Sequence, residues 1–304
     1  MKILRKIKDN VSIVNHDGKY LVLKVSGNLR IENSWYVRLL NFTKLGVLHF
    51  SNEIAFHRHL GTKVFKSLNI PPIFETDGKT YFLMEYVDGI SGKINDSENP
   101  KRLINALYEF QFSTPIYTLK VKGKFFNKLL QPLPYILRGS LTLILLRVGF
   151  RQFLSTILVA LKIQLQNNKV SKNGVLSHRD LGLDNNIITS LDDRLYFIDF
   201  GSTVLVKKFI MHDIVSLAFD IKNMSFDGEL VNMYVLLLRE RFFFDRNPSF
   251  SIFDQVRLAM IGIVIGYLNE SEYLDTCKYY FTNILLNKKN FAKFCDENDL
   301  KLMI

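Results

Sequence analysis

The 304-residue chain holds only two cysteines, Cys277 and Cys295, and neither has a His or Cys companion at metal-ligand spacing. Two thiols in so long a chain exclude a disulfide framework and read as buried or free thiols of a reducing compartment. Long apolar runs are also missing. The most apolar stretch, Leu133 to Leu165, is divided by Arg138, Arg147, Arg151 and Lys162. A spanning helix needs about 20 consecutive apolar residues, so none is expected. Lys8, Asp9 and Asn10 interrupt the basic N-terminus at once, which argues against a secretion signal. There is no internal repeat and no low-complexity linker. Acidic residues are scarce in one place: Phe110 to Arg179 contains no Asp or Glu but eleven Lys and Arg.

What is present is an ordinary globular composition, 48% hydrophobic and 23% charged, with a formal net charge of +11. Such an excess points to an anionic partner. Val11–Asn15 and Lys19–Val25 alternate about His16-Asp17-Gly18 and predict a hairpin. Trp35–Leu40 reads as a third strand. Phe50–Leu60 has helical spacing, with Phe50, Ile54 and His57 on one side. His57-Arg58-His59 reads as helix surface and turn, because residues two apart point to different faces. Ile73–Thr76 and Thr80–Tyr86 form a second hairpin about Asp77-Gly78, and Val87-Asp88-Gly89 follows as a hinge. From residue 100 the pattern is helical apart from an island at Val175–Phe200. The expected fold class is α+β, with a β-rich lobe at 1–89 and a helical lobe at 90–304.

The island carries the chemistry. It contains His178-Arg179-Asp180-Leu181, then Asn185, then Leu195-Tyr-Phe-Ile-Asp199-Phe200-Gly201. The first part fits H-R-D-L-x-x-x-N at every fixed position and the second is D-F-G after an apolar strand. A hairpin of Asn186–Thr189 and Leu195–Ile198 would bring Asn185 and Asp199 to one end. An amide oxygen and a carboxylate there suit Mg²⁺, a hard cation that takes oxygen ligands. Asp180 is then free to orient an attacking hydroxyl or accept its proton.

These two linked motifs resemble those of the protein-kinase-like superfamily, and the resemblance extends over roughly residues 11–220. It implies a bilobal fold, ATP as cofactor and Mg²⁺-dependent phosphoryl transfer, with Asp180 catalytic and Asn185 and Asp199 on the metal. Thr80–Tyr86 with Val87 resembles the strand and hinge whose backbone binds adenine, which assigns Glu85 and Val87. Glu53 is similar to the helix glutamate that pairs with the ATP-binding lysine. Fifteen residues before it stands Arg38, not lysine, and the exchange is not conservative. Three readings stay open: Arg38 acts in its place, Lys24 or Lys19 on the second strand reaches the phosphates, or the protein is an inactive binder. No G-x-G-x-x-G loop is present, and His16–Lys19 and Ser26–Asn28 are its only candidates.

After Asp199 there is no long activation segment and no A-P-E, which argues against a peptide substrate. Asp213 follows only 14 residues later. It is similar to the aspartate that braces the catalytic loop in aminoglycoside phosphotransferases and lipopolysaccharide kinases. On one continuous helix Arg147, Arg151 and Lys162 would fall within about 60°. A basic face on so apolar a body suits an anionic membrane surface, while nucleic acid is disfavoured for want of a recognised module. The expectation is therefore a kinase acting on a lipid-linked or small-molecule sugar acceptor, cytoplasmic and peripheral on the inner membrane face. A soluble aminoglycoside- or choline-type kinase and a pseudokinase remain as alternatives.

Overall fold

The computed structural model describes residues 1–8, 10–26, 50–91, 99–112, 140–166, 175–182, 186–206, 210–242, 251–268 and 270–301. Arg38, Asn185 and the strand expected at Trp35–Leu40 lie outside them. The chain divides into two compact units, one of residues 1–121 and 178–204, the other of 122–177 and 205–304.

In the first unit a five-stranded sheet is built from β1 (Lys2–Lys8), β2 (Val11–His16), β3 (Lys19–Val25), β4 (Ile73–Thr76) and β5 (Tyr81–Glu85), in spatial order β1-β2-β3-β5-β4. All its neighbours are antiparallel. β2 and β3 are joined by Asp17-Gly18, both at positive φ, 52° and 79°. That is the two-residue turn whose twist matches the flanking strands, and Gly bears it without steric cost. Alternation sorts the side chains. Val14, Leu21, Leu23 and Leu83 cluster on one face. Val22, Phe82 and Met84 cluster on the other with Ile54 of helix α1 (Phe50–Gly61).

β1 was not expected from the sequence. All seven of its residues are exposed, so it lacks the buried stripe by which a strand is recognised. Its presence makes Lys19–Val25 the third strand in chain order, not the second.

A second sheet lies in the same unit. β6 (Gly89–Ser91), β8 (Ile187–Ser190) and β9 (Leu195–Phe197) are antiparallel neighbours. Gly89, expected in a hinge, opens a strand opposite Ser190. Asn69 bridges to this sheet, donating its N–H to Leu195 O at 2.8 Å and accepting from Phe197 N at 3.2 Å. Helix α2 (Asn99–Phe112) buries Leu103, Ala106, Leu107 and Phe110.

The second unit is mainly helical. It contains α3 (Ser140–Arg147), α4 (Phe150–Gln166), strand β7 (Val175–Ser177), α5 (His212–Ala218), α6 (Gly228–Phe242), α7 (Ile252–Tyr267), α8 (Leu274–Tyr279) and α9 (Lys288–Glu297). Ser251 caps α7 by accepting from Asp254 N, and Asn287 caps α9 by accepting from Lys289 N and Asn290 N. α7 is the core helix, with Gln255 through Ile265 buried. Arg257, in that run, donates Nε–H to Leu285 O at 2.7 Å, which satisfies a charge buried at the centre. The expected basic helix is two helices. The chain breaks at Gly149, φ 118°, so Arg147 ends α3 while Arg151 and Lys162 lie on α4.

Gly89 has no room for a side chain: an added Cβ would collide with Thr189 O and lie 2.8 Å from Ile188 Cγ2. Gly89→Ala is expected to weaken the β6–β8 pairing and lower stability by about 1–3 kcal/mol in urea titration. An unchanged midpoint would show that the two strands separate at no cost.

Candidate active site

The site is assembled within the first unit from four pieces of chain. β3 carries Lys24, α1 carries Glu53, the segment after β7 carries His178 to Asp180, and the chain leaving β9 carries Asp199. Lys24 Nζ lies 2.7 Å from Glu53 Oε1 and 2.8 Å from Asp199 Oδ1. One ammonium thus ties a strand, a helix and a loop together. Lys24 and Glu53 are nearly enclosed, and Asp199 is about one-third exposed (38%). From the sequence alone Lys24 is one of several cations able to serve the site. The structure gives it both carboxylates, across separations of 29 and 175 residues that no local pattern reveals.

The electrostatics follow from this enclosure. Burial alone would lower Lys24, but Glu53 and Asp199 more than reverse that and its pKa is raised. Burial would raise Asp199; Lys24 overcomes it and holds the carboxyl below the ordinary range. Glu53, the most enclosed of the three, is pushed up to about 7 by burial against the pull of Lys24.

The two motif segments are held by a hairpin. Ile198 N–H donates to Asn186 O at 3.1 Å, and Ser190 N–H to Arg194 O at 2.9 Å. His178 Nε2 lies 2.9 Å from Ile198 O, joining the segment before Asp180 to the residue before Asp199. Asn186 Nδ2 donates to the carbonyl of Asp180. Asp180 itself is exposed, yet desolvation raises its carboxyl and the charge of Asp199 adds to the rise. A carboxyl raised in this way is better matched to accepting a proton near neutrality.

Arg179 and Asp199 both adopt left-handed backbone, φ 71° and 59°. Side chains other than Gly rarely do so, and such strain concentrates at functional sites. Gly201 follows in the short helix Phe200–Ser202; a Cβ there would stand 3.5 Å from Asp199 Oδ1 and 3.7 Å from Glu53 Oε2. Its bare backbone leaves the carboxylates open on that side.

Beneath the carboxylates is an aromatic stack. Phe200 is fully buried, with His57 edge-on at 4.8 Å, His178 at 5.3 Å and Phe110 at 5.9 Å between ring centroids. His57, expected on the helix surface, is buried, because β5 supplies Phe82 on its other side at 5.8 Å. Glu85 ends β5 opposite Leu21 and donates its N–H to Pro72 O at 3.0 Å; Val87 is two residues beyond. In the second unit Ser177, which directly precedes His178, donates Oγ–H to the fully buried Asp213 at 3.0 Å. Among the described residues no three His, Cys, Asp or Glu side chains form a metal cluster, and Asp199 is the described member of the expected metal pair.

Burial, and then the nearby charge of Lys24, lowers His57 from 6.5 to about 4. The depressed pKa means that the unfolded chain binds a proton that the folded one refuses between those values. His57 therefore contributes stability above pH 6.5 that is lost as pH falls toward 4. Glu53, raised to about 7, acts in the opposite sense over an overlapping range. His57→Leu is expected to lose less stability than the wild type between pH 6.5 and 4 in urea titrations. Parallel curves would show that the imidazole titrates freely.

No protein-family model matches this sequence, and no curated protein does. Solved structures do. A microcompartment-associated aminopropanol kinase aligns over 99% of this chain and 94% of its own, with TM-score 0.58 at 15% identity. The choline kinase LicA from Streptococcus pneumoniae gives 0.53 at 12% identity, over 97% and 90%. A Plasmodium vivax ethanolamine kinase gives 0.52 at 13%, over 92% and 80%. With the β8–β9 hairpin between the two motifs and a five-stranded sheet in the same unit, these likenesses establish that the chain has the α+β protein-kinase-like fold.

Proposed function

We propose that the protein is an ATP- and Mg²⁺-dependent phosphotransferase acting on an alcohol group. The observation that carries this reading is the Lys24 ammonium between Glu53 and Asp199, with Asp180 exposed on the adjoining segment. Glu53 fixes Lys24 where an ammonium can take phosphate oxygens, and Asp180 holds the acceptor hydroxyl and takes its proton. Asp199 and Asn185 would hold Mg²⁺, which neutralises charge on the transferring phosphoryl group. The donors fit: Asp199 is a hard oxygen ligand flanked by the bare backbone of Gly201, and Mg²⁺ keeps several waters, so few protein ligands suffice. Glu85 and Val87, at the end of β5, are the backbone positions proposed for adenine. The division into lobes at residue 89 belongs to the same reading.

For the acceptor we favour a sugar hydroxyl of a lipopolysaccharide or other lipid-linked glycan at the cytoplasmic membrane face. Support comes from α3 and α4. Leu146, Phe150, Leu154 and Leu158 are exposed on them, the first, second and fourth by more than 60%, beside exposed Arg147, Arg151 and Lys162. No described helix is long and apolar enough to cross a membrane, whereas an apolar stripe flanked by cations suits lying against anionic lipid. A small amino alcohol is the second reading, favoured by the names of the structural neighbours.

A thermal shift with ATP that needs Mg²⁺ and is lost in Asp199→Ala is expected. Asp180→Asn should keep that shift while turnover falls by roughly 10²–10⁴. No shift in the wild type at millimolar ATP would leave a binding module as the better reading. Co-sedimentation with phosphatidylglycerol vesicles but not phosphatidylcholine vesicles is expected, and Leu146→Glu/Leu158→Glu should abolish it. Equal behaviour of the double variant and wild type would remove the membrane reading and favour the amino alcohol.

A further inference from the structure

The sequence has no G-x-G-x-x-G loop, and the register of the sheet places a lysine beside the turn between the first two strands. β1 and β2 are joined by residues 9 and 10, which contain no glycine. Lys8 pairs with Val11 across that turn, and Val11 pairs with Lys24. Residues directly opposed on neighbouring antiparallel strands project from the same face. That face is fixed independently: Val11 packs with Val22, Ile54, Phe82 and Met84, the cluster on the α1 side. From it Lys24 reaches Glu53 and Asp199. Lys8 therefore projects from the site face of the sheet, two strands out from Lys24. At about 4.8 Å per strand the two backbones are roughly 10 Å apart.

The register contains a device that produces this placement. Lys6 pairs with Ser12 and Lys8 with Val11, with an irregularity between them. Regular pairing would set Ile7 opposite Val11; the extra residue sets Lys8 there. Bulges of this kind re-aim side chains. Lys8 is exposed and has no ion-pair partner among the described residues. The charge of Lys8 is felt at both Asp180 and Asp199, the two carboxylates on that face.

We propose that Lys8 is a phosphate-binding residue, taking the terminal phosphates of a nucleoside triphosphate in place of the absent glycine loop. The inference rests on the nucleotide reading above. A glycine loop binds phosphate through backbone N–H groups, whereas a lysine binds it as a mobile point charge. Affinity should then depend on how many phosphate charges the ligand carries.

Calorimetric titration of the full chain with Mg²⁺ and ATP or AMP tests it, on wild type, Lys8→Ala, Lys8→Arg and Lys6→Ala. Lys6 has the same charge on the same strand but pairs with Ser12, on the opposite face. Lys8→Ala is expected to weaken ATP about tenfold and leave AMP unchanged. Lys8→Arg should recover most of the loss, and Lys6→Ala should match wild type. ATP affinity unaltered in Lys8→Ala overturns the proposal while the nucleotide site stands. Equal losses for ATP and AMP, or for Lys6→Ala and Lys8→Ala, also overturn it, by assigning the effect to folding or bulk charge. A wild type that binds neither nucleotide removes the nucleotide reading itself.

Discussion

A single buried ammonium holds the site together. Lys24 meets Glu53 at 2.7 Å and Asp199 at 2.8 Å, and each contact joins elements far apart in sequence. Removing Lys24 leaves two carboxylates facing each other in a poorly solvated place, which costs far more than an exposed ion pair contributes. The triad also carries one negative charge too many. Burial, with the charge of Asp199 adding to it, pushes Glu53 up to about 7, so part of the imbalance is relieved by a proton.

The scaffold beneath the triad is apolar and tightly filled. Phe200 follows Asp199 directly, and its ring is enclosed by His57, His178 and Phe110. Asp199 sits in left-handed backbone, at φ 59°. That conformation persists only where surrounding contacts over-determine it. The buried ring on one side and the Lys24 contact on the other are such contacts. The position of the Asp199 carboxylate is thus set by the packing of its apolar neighbour, and a change at Phe200 would be felt at Asp199 without touching it.

Much of this was legible in the sequence, for identifiable reasons. The two motifs lie close together in sequence, and the chain between them offers two short apolar strands about a turn at residues 190–194. The hairpins about Asp17-Gly18 and Asp77-Gly78 carry strong turn signals, and α1 and its Glu53 fall where the spacing sets them. What was not legible depended on burial. β1 exposes every residue, so it offers no alternation between a wet and a dry face. Without it Lys24 counts as a second-strand lysine, and the position fifteen residues before Glu53 is Arg38, outside the described residues. His57 reads as surface for a related reason: a neighbour in the chain, Arg58, is exposed, and the imidazole is enclosed by Phe82 of β5 and by Phe200 of the short helix after β9.

The same exposed strand shows how charge excess can be divided between tasks. β1 places Lys2, Arg5 and Lys8 opposite Asn15, Ile13 and Val11, all on the site face, and Lys6 opposite Ser12 on the other. The two irregularities in its register put Arg5, instead of Leu4 and Lys6, in that row between Lys2 and Lys8. The basic helices α3 and α4 arrange their charges otherwise, beside exposed leucines and a phenylalanine, with Ile144 and Thr156 turned inward. The net charge of +11 is therefore divided between two settings: a row of Lys2, Arg5 and Lys8 on the site face of an exposed edge strand, and cations on helices whose exposed residues are otherwise leucine and phenylalanine.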